Sequence, residues 1–186
     1  MKILLKFIVF IYLLLSFNAY AQDEEGYLVV MSASSYIVDE IYYLDAWLDY
    51  DLPEEAVQAL QSGVNLLLEV EVEFIRNRRF WLDAVDATLI QSFNLEYNAL
   101  LERYIVFNEN SGTQSYFITL FSALNYIGRV TELPLIDTSL LQPDSDYDIR
   151  IRANLSIESM QSILNLIQFW RDNNIQSSWY RWQLLD

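Results

Sequence analysis

The sequence predicts a mainly β fold, an antiparallel sheet or β-sandwich with two or three short helices packed against it, an α+β arrangement being the alternative. Three observations predict it. Apolar residues alternate at period two through several long stretches, as in strands that are wet on one side. The helical patterns are few and short. All four glycines fall at the ends of these patterns or in turns.

The N-terminus is set apart from the fold. Lys2 and Lys6 flank or precede an apolar run, Phe7 to Phe17, that is short for a bilayer span. Ala19-Tyr20-Ala21 follows with the small-x-small spacing that signal peptidase reads, so residues 1–21 are expected to be a cleavable Sec signal. An uncleaved anchor is the alternative, disfavoured by the short run and the Ala-x-Ala site. Residues 22–186 are then expected to form a single β-rich domain, long enough to bury its own core.

From Ile41 to Leu52, one parity holds Tyr42, Leu44, Ala46, Leu48, Tyr50 and Leu52, and the other Tyr43, Asp45, Trp47, Asp49 and Asp51. That split predicts a half-buried strand. Pro53, Glu54 and Glu55 then suit a helix start, Ala56, Val57 and Leu60 give it an apolar stripe, and Gly63 closes it. From Asn65 to Phe74, Leu66, Leu68, Val70, Val72 and Phe74 oppose Leu67, Glu69, Glu71 and Glu73, which predicts a strand with a solvated charged face. Arg76-Asn77-Arg78-Arg79 reads as a turn, and Trp81 to Tyr97 as a long strand with Val85, Ala87, Leu89, Phe93 and Leu95 in one parity.

Arg103 to Phe107 and Gln114 to Ile118 are expected to pair across the polar tip Asn108 to Gly112. Thr119 is placed to cap a helix from Leu120 to Ile127, ending at Gly128. After the Pro143-Asp144-Ser145-Asp146 turn, Tyr147, Ile149, Ile151, Ala153 and Leu155 alternate with Asp148, Arg150, Arg152 and Asn154. A third helix is expected to open at Ser156 or Ser159 and run to about Phe169.

Composition narrows the chemistry. With both lysines removed, nine arginines face 26 carboxylates, so the exported chain carries 9 − 26 = −17. That charge argues against a nucleic-acid partner or a casual anionic-lipid partner, because phosphate binding relies on Lys and Arg. No stable membrane insertion is expected once the signal is removed. An export signal without any cysteine points to a Gram-negative periplasm.

Without histidine there is no Ser-His-Asp triad and no histidine-ligated zinc, and without cysteine no thiol catalysis. Lysine is absent after residue 21, which removes Schiff-base chemistry. No cofactor and no metal is expected. Carboxylate chemistry survives, but a glycosidase needs two carboxyls at a fixed separation. Asp83 and Asp86 have opposite strand parity. Asp45 and Asp49 would stand roughly 13 Å apart at strand rise, too far for either glycosidase geometry. Asp144-x-Asp146-x-Asp148 has the spacing that opens a calcium loop, but Ile149 and Leu155 occupy the positions that need glycine and glutamate, so it reads as a polar turn.

Several segments carry a family resemblance: Tyr43-Leu44-Asp45-Ala46, Leu52-Pro53-Glu54-Glu55, Ala59-Leu60-Gln61-Ser62-Gly63-Val64, Leu95-Glu96-Tyr97-Asn98-Ala99-Leu100 and Ser177-Ser178-Trp179-Tyr180-Arg181-Trp182. In this order and spacing the chain resembles the proteobacterial family known as domain of unknown function number 4390. It departs from the family's Leu-Pro-x-Pro-Leu segment at Ile157-Glu158-Ser159-Met160-Gln161. The resemblance implies an exported envelope protein with no assigned activity, its gene often beside that of a membrane-bound sensor histidine kinase.

The expectation is therefore a non-enzymatic periplasmic interaction domain, accessory to an envelope sensor, with an envelope protein as partner. Its candidate contact residues are the aromatics outside the core parity, Tyr43 and Trp47, and the terminal Trp179, Tyr180 and Trp182. The alternatives are a carboxylate-based hydrolase of envelope glycans and a small-ligand carrier with a closed apolar cavity.

Overall fold

The computed structural model describes residues 26–157 and 175–184. The expected signal peptide lies outside them, as does nearly all of the expected third helix. Its proposed opening residue Ser156 is instead the penultimate residue of a strand.

Two antiparallel sheets enclose one core. The smaller has the order β1-β2-β7, from Tyr27–Val38, Ile41–Asp51 and Arg129–Asp137. The larger has the order β10-β8-β3-β4-β5-β6, from Tyr180–Gln183, Tyr147–Ile157, Leu66–Arg76, Ala84–Asn98, Arg103–Asn108 and Thr113–Phe117. The two-residue strand β9, Ile175–Gln176, also borders β8. Helix α1, Glu54–Gln61, carries the chain from the small sheet to the large one, and α2, Leu120–Gly128, carries it back. Mainly β, antiparallel and with short helices, this is the fold class the alternation predicts.

Side-chain parity builds the core. In β2 the buried residues are Tyr42, Leu44, Ala46, Leu48 and Tyr50; in β3 Leu66, Leu68, Val70, Val72 and Phe74 form the buried row, and Ile75 is buried beside it. Apart from Tyr42 the two rows belong to one hydrophobic cluster, and the Tyr42 ring lies 6.4 Å from that of Phe74. The face of each sheet turned away from that cluster is therefore an outer face, and the two outer faces look in opposite directions.

The helix ends follow local chemistry. Thr119 caps α2, its hydroxyl accepting from the Ser122 N–H at 3.1 Å. Gly128 closes that helix against β2 so tightly that a Cβ there would sit 2.2 Å from the Leu48 carbonyl oxygen. Pro53 is the N-cap of α1, one residue ahead of the expected position. At its other end Val64 N–H bonds to Ala59 O and Gly63 N–H to Leu60 O, each at 3.0 Å, with Gly63 at φ +88°. This is the Schellman pattern, which needs a residue free to turn left-handed.

Three expectations change. The strand expected from Trp81 begins at Ala84, and Phe80, Trp81 and Leu82 are loop residues almost fully exposed. The charged parity of β3 is not simply solvated, because β3 is an interior strand and its Glu71 and Glu73 stand opposite Arg152 and Arg150 of β8. Strands β1 and β7 carry little period-two signal yet form both edges of the small sheet. β7 contains Pro134, which an edge strand tolerates because its N–H is not needed by a further neighbour.

Candidate functional site

The candidate aromatics divide between the small sheet and the C-terminal segment on the large one, and their surroundings separate them. On the outer face of the large sheet, Arg152 Nε donates to Glu71 Oε2 and Arg150 Nε to Glu73 Oε2, both at 2.7 Å. Trp179 covers both guanidiniums, 4.2 Å from Arg150 and 4.3 Å from Arg152 to the ring centroid. A cation on an aromatic face and in a carboxylate fork is satisfied on two sides.

The rest of that C-terminal segment is equally engaged. Ser177 bridges the gap between β9 and β10, its N–H bonding to Ala153 O and its hydroxyl accepting from Ala153 N–H, both at 2.9 Å. The half-buried Trp182 packs on the core, and its Nε1 donates to Ser35 Oγ of β1 at 3.0 Å, tying the two sheets together. Tyr180 remains partly exposed beside it, with ring centroids 5.9 Å apart.

Trp47 is different. It projects from the outer face of the small sheet with 48% of its surface exposed, between Ser32 of β1 and Arg129 of β7 in the register. Both neighbouring strands bulge beside it. β1 holds Met31 as an extra residue between Val30 and Ser32. β7 places Thr131 and Glu132 opposite Asp45 alone, with Glu132 at φ +51°. The Asp45 carboxylate caps this second bulge, Oδ1 accepting from the Glu132 N–H at 2.7 Å.

Bulges spread the backbone and re-aim side chains, and these two leave a shallow depression of about 370 Å³ lined by Ser32, Ser34, Asp45, Trp47, Arg129 and Thr131. Arg129 makes no ion pair among the described residues. Exposed Val29 and Met31 extend the apolar part toward the β1 start, where Tyr27 donates to Asp49 Oδ2 at 3.1 Å; this bond and the Asp49 charge push the Tyr27 phenol up. Tyr43, half-buried, stacks on Tyr36 at 5.8 Å along the same face. Desolvation, then the Asp45 and Glu132 charges, push the Tyr36 phenol up.

The family match coincides with these elements. The model described as Domain of unknown function (DUF4390) matches residues 27–183, from the first residue of β1 to the last of β10. The chain belongs to that family. No curated protein and no solved structure matches it. The segments that carry the DUF4390 resemblance sit at joints of the fold: Asp45 caps a bulge, Ala59 to Val64 makes the Schellman turn, and Ser177 bridges the strand ladder.

Carboxylate chemistry finds poor support in the geometry. Asp86 receives Arg76 Nε at 2.7 Å and the Tyr147 hydroxyl at 2.6 Å, and these bonds, Arg76 first, hold its pKa below the ordinary carboxylate value. Asp137 is lowered by the Ser139 hydroxyl and N–H. A glycosidase acid needs a carboxyl moved the other way. Asp148 is held by Arg181 at 2.7 Å, and among the described residues no group of three or more acidic side chains is placed to hold a metal ion. The cleft of about 850 Å³ lined by Tyr42, Thr138, Gln142, Asp146, Tyr147 and Leu184, among others, is open and half polar, unlike the closed apolar cavity of a carrier.

Proposed function

We propose that this DUF4390 protein is a non-enzymatic interaction domain, exported to the periplasm, that binds an envelope protein through the outer face of its small sheet. The observation that carries the reading is Trp47, half-exposed between two bulges, with Met31 and Val29 around it and Arg129 without an ion pair among the described residues. Trp, Met, Tyr and Arg are the residues that protein interfaces concentrate, and a depression beside the Trp gives a partner side chain somewhere to seat. Asp45 and Asp49 would form the polar rim. The family's link to sensor histidine kinases, which the resemblance implies, makes the periplasmic segment of such a kinase the first partner to try.

Crosslinking and pull-down of the exported chain from envelope extracts tests this, comparing wild type with Trp47→Ala, Arg129→Glu and Trp179→Ala. The expected result is one protein partner captured by wild type and lost in the first two variants. Capture that survives Trp47→Ala and Arg129→Glu but fails in a folded Trp179→Ala variant would move the surface to the large sheet. No specific protein captured by wild type would overturn the reading.

A further inference from the structure

A second apolar feature lies away from the Trp47 face and does not depend on the reading of it. The β3–β4 loop runs Arg78-Arg79-Phe80-Trp81-Leu82, and its three large hydrophobics are 87%, 80% and 88% exposed. Its stem is held from several directions. Arg76 grips Asp86 through two bonds of 2.7 and 3.1 Å, Asn77 N–H bonds to Asp146 O at 2.9 Å, and Arg181 bonds to Asn77 at 2.9 Å and to Asp83 at 3.3 Å. The tip is therefore presented by a braced stem rather than packed against the body. Arg78 and Arg79 form no ion pair among the described residues, whereas Arg76, Arg150, Arg152 and Arg181 all do.

We propose that this loop docks on a phospholipid bilayer, with Phe80, Trp81 and Leu82 entering its interfacial layer and Arg78 and Arg79 binding lipid phosphates. Phe80, Trp81 and Leu82 are consecutive, and each is exposed on most of its surface. A single protein pocket would have to enclose them all, while a fluid apolar layer accepts them from every side. Tryptophan favours the interfacial layer, and arginine reaches from it to the phosphates.

The charge of −17 expected of the exported chain argues against lipid contact only if it acts at the bilayer. β3 has 11 residues, so the strands extend roughly 36 Å from one end of the molecule to the other. The screening length is about 8 Å at physiological salt, so carboxylates at the far end of the strands lie beyond its reach. Asp39, Glu40, Asp83, Asp86, Asp144, Asp146 and Asp148 share the loop's end of the sandwich; Asp86 is paired with Arg76, and Asp83 and Asp148 with Arg181, and the repulsion of the rest confines the contact to the tip.

The test is flotation of the exported chain with vesicles of phosphatidylethanolamine containing a minor fraction of phosphatidylglycerol. Wild type is expected to float with the vesicles, and the Phe80→Ser, Trp81→Ser, Leu82→Ser triple variant to lose at least about tenfold in partitioning. Arg78→Gln with Arg79→Gln should fall between them. All should keep the wild-type Tm, because the side chains removed touch little. Brominated lipid should quench wild-type fluorescence more than that of Trp81→Phe, which still floats. Wild type left unbound, or a triple variant that floats like wild type, overturns the proposal. If wild type does not float and a photocrosslinker at position 81 captures one protein, the loop is a protein anchor and the lipid proposal falls. Neither result bears on the Trp47 experiment.

Discussion

The outer faces of the two sheets carry the same residue types and have opposite characters. On the large sheet, Glu71, Glu73, Arg150 and Arg152 pair across strands and Trp179 covers the pairs. On the small sheet, Trp47 and Arg129 are neighbours in the register, with no carboxylate fork or covering ring among the described residues, in a depression made by two bulges. A tryptophan among charged strand residues is thus no sign of a contact surface by itself. What separates the two faces is whether neighbouring strands supply the partners.

Substitutions that strike the shared core, one face, or the other sharpen this contrast. Phe74→Ala, at the centre where the sheets meet, is expected to cost about 3–5 kcal/mol in chemical denaturation. Because both sheets share that core, circular dichroism and fluorescence should still report one transition; two separate transitions would break the picture of a single cluster. Trp179→Ala uncovers Arg150 and Arg152 and is expected to cost about 2 kcal/mol, with the loss shrinking if both arginines are first replaced, as a double-mutant cycle would measure.

The large-sheet network should also show in acid. Arg76 and Tyr147 hold the Asp86 pKa below its unfolded value, so the stability this gives is complete above about pH 4 and is lost as pH falls through the lower folded value. Asp86→Asn is expected to cost about 1 kcal/mol at neutral pH, the carboxylate being partly screened by water, and to flatten the acid limb of an unfolding series. An unchanged acid limb would mean the bond is not held in solution. Trp47→Ala is the smallest expected effect, within about 0.5 kcal/mol of wild type in thermal denaturation, because the side chain is half in water. A large loss there would assign Trp47 to the fold and remove the basis of the contact surface.

Strands whose neighbours differ sharply between faces were legible: β2 and β3 write their inner rows as unbroken alternation. Thr119 and Gly63 were legible too, since a cap and a left-handed turn are made by residues close in sequence. β1 was not, because past Met31 it runs through Ser32, Ser34 and Ser35 and its inward contacts are with distant β8 and β10. β7 hid behind Pro134 and its bulge, which breaks the parity. Trp81 and Leu82 read as the start of a strand because the pattern beyond them is extended, and the lack of anything to pack on is a property of the neighbours.

Of the candidate residues, the sequence singled out Tyr43, Trp47, Trp179, Tyr180 and Trp182 as aromatics outside the core rows, or crowded at the C-terminus, without distinguishing among them. The sequence by itself determined the β class, the inner rows and the helix ends, because alternation and capping are set by residues within a few positions of one another. Only the tertiary structure decided that Trp179 lies on Arg150 and Arg152, that Trp182 ties the sheets through Ser35, and that Trp47 stands uncovered. Those contacts join residues up to 147 positions apart, and the strand order that brings them together is fixed by packing in three dimensions, not by any local pattern.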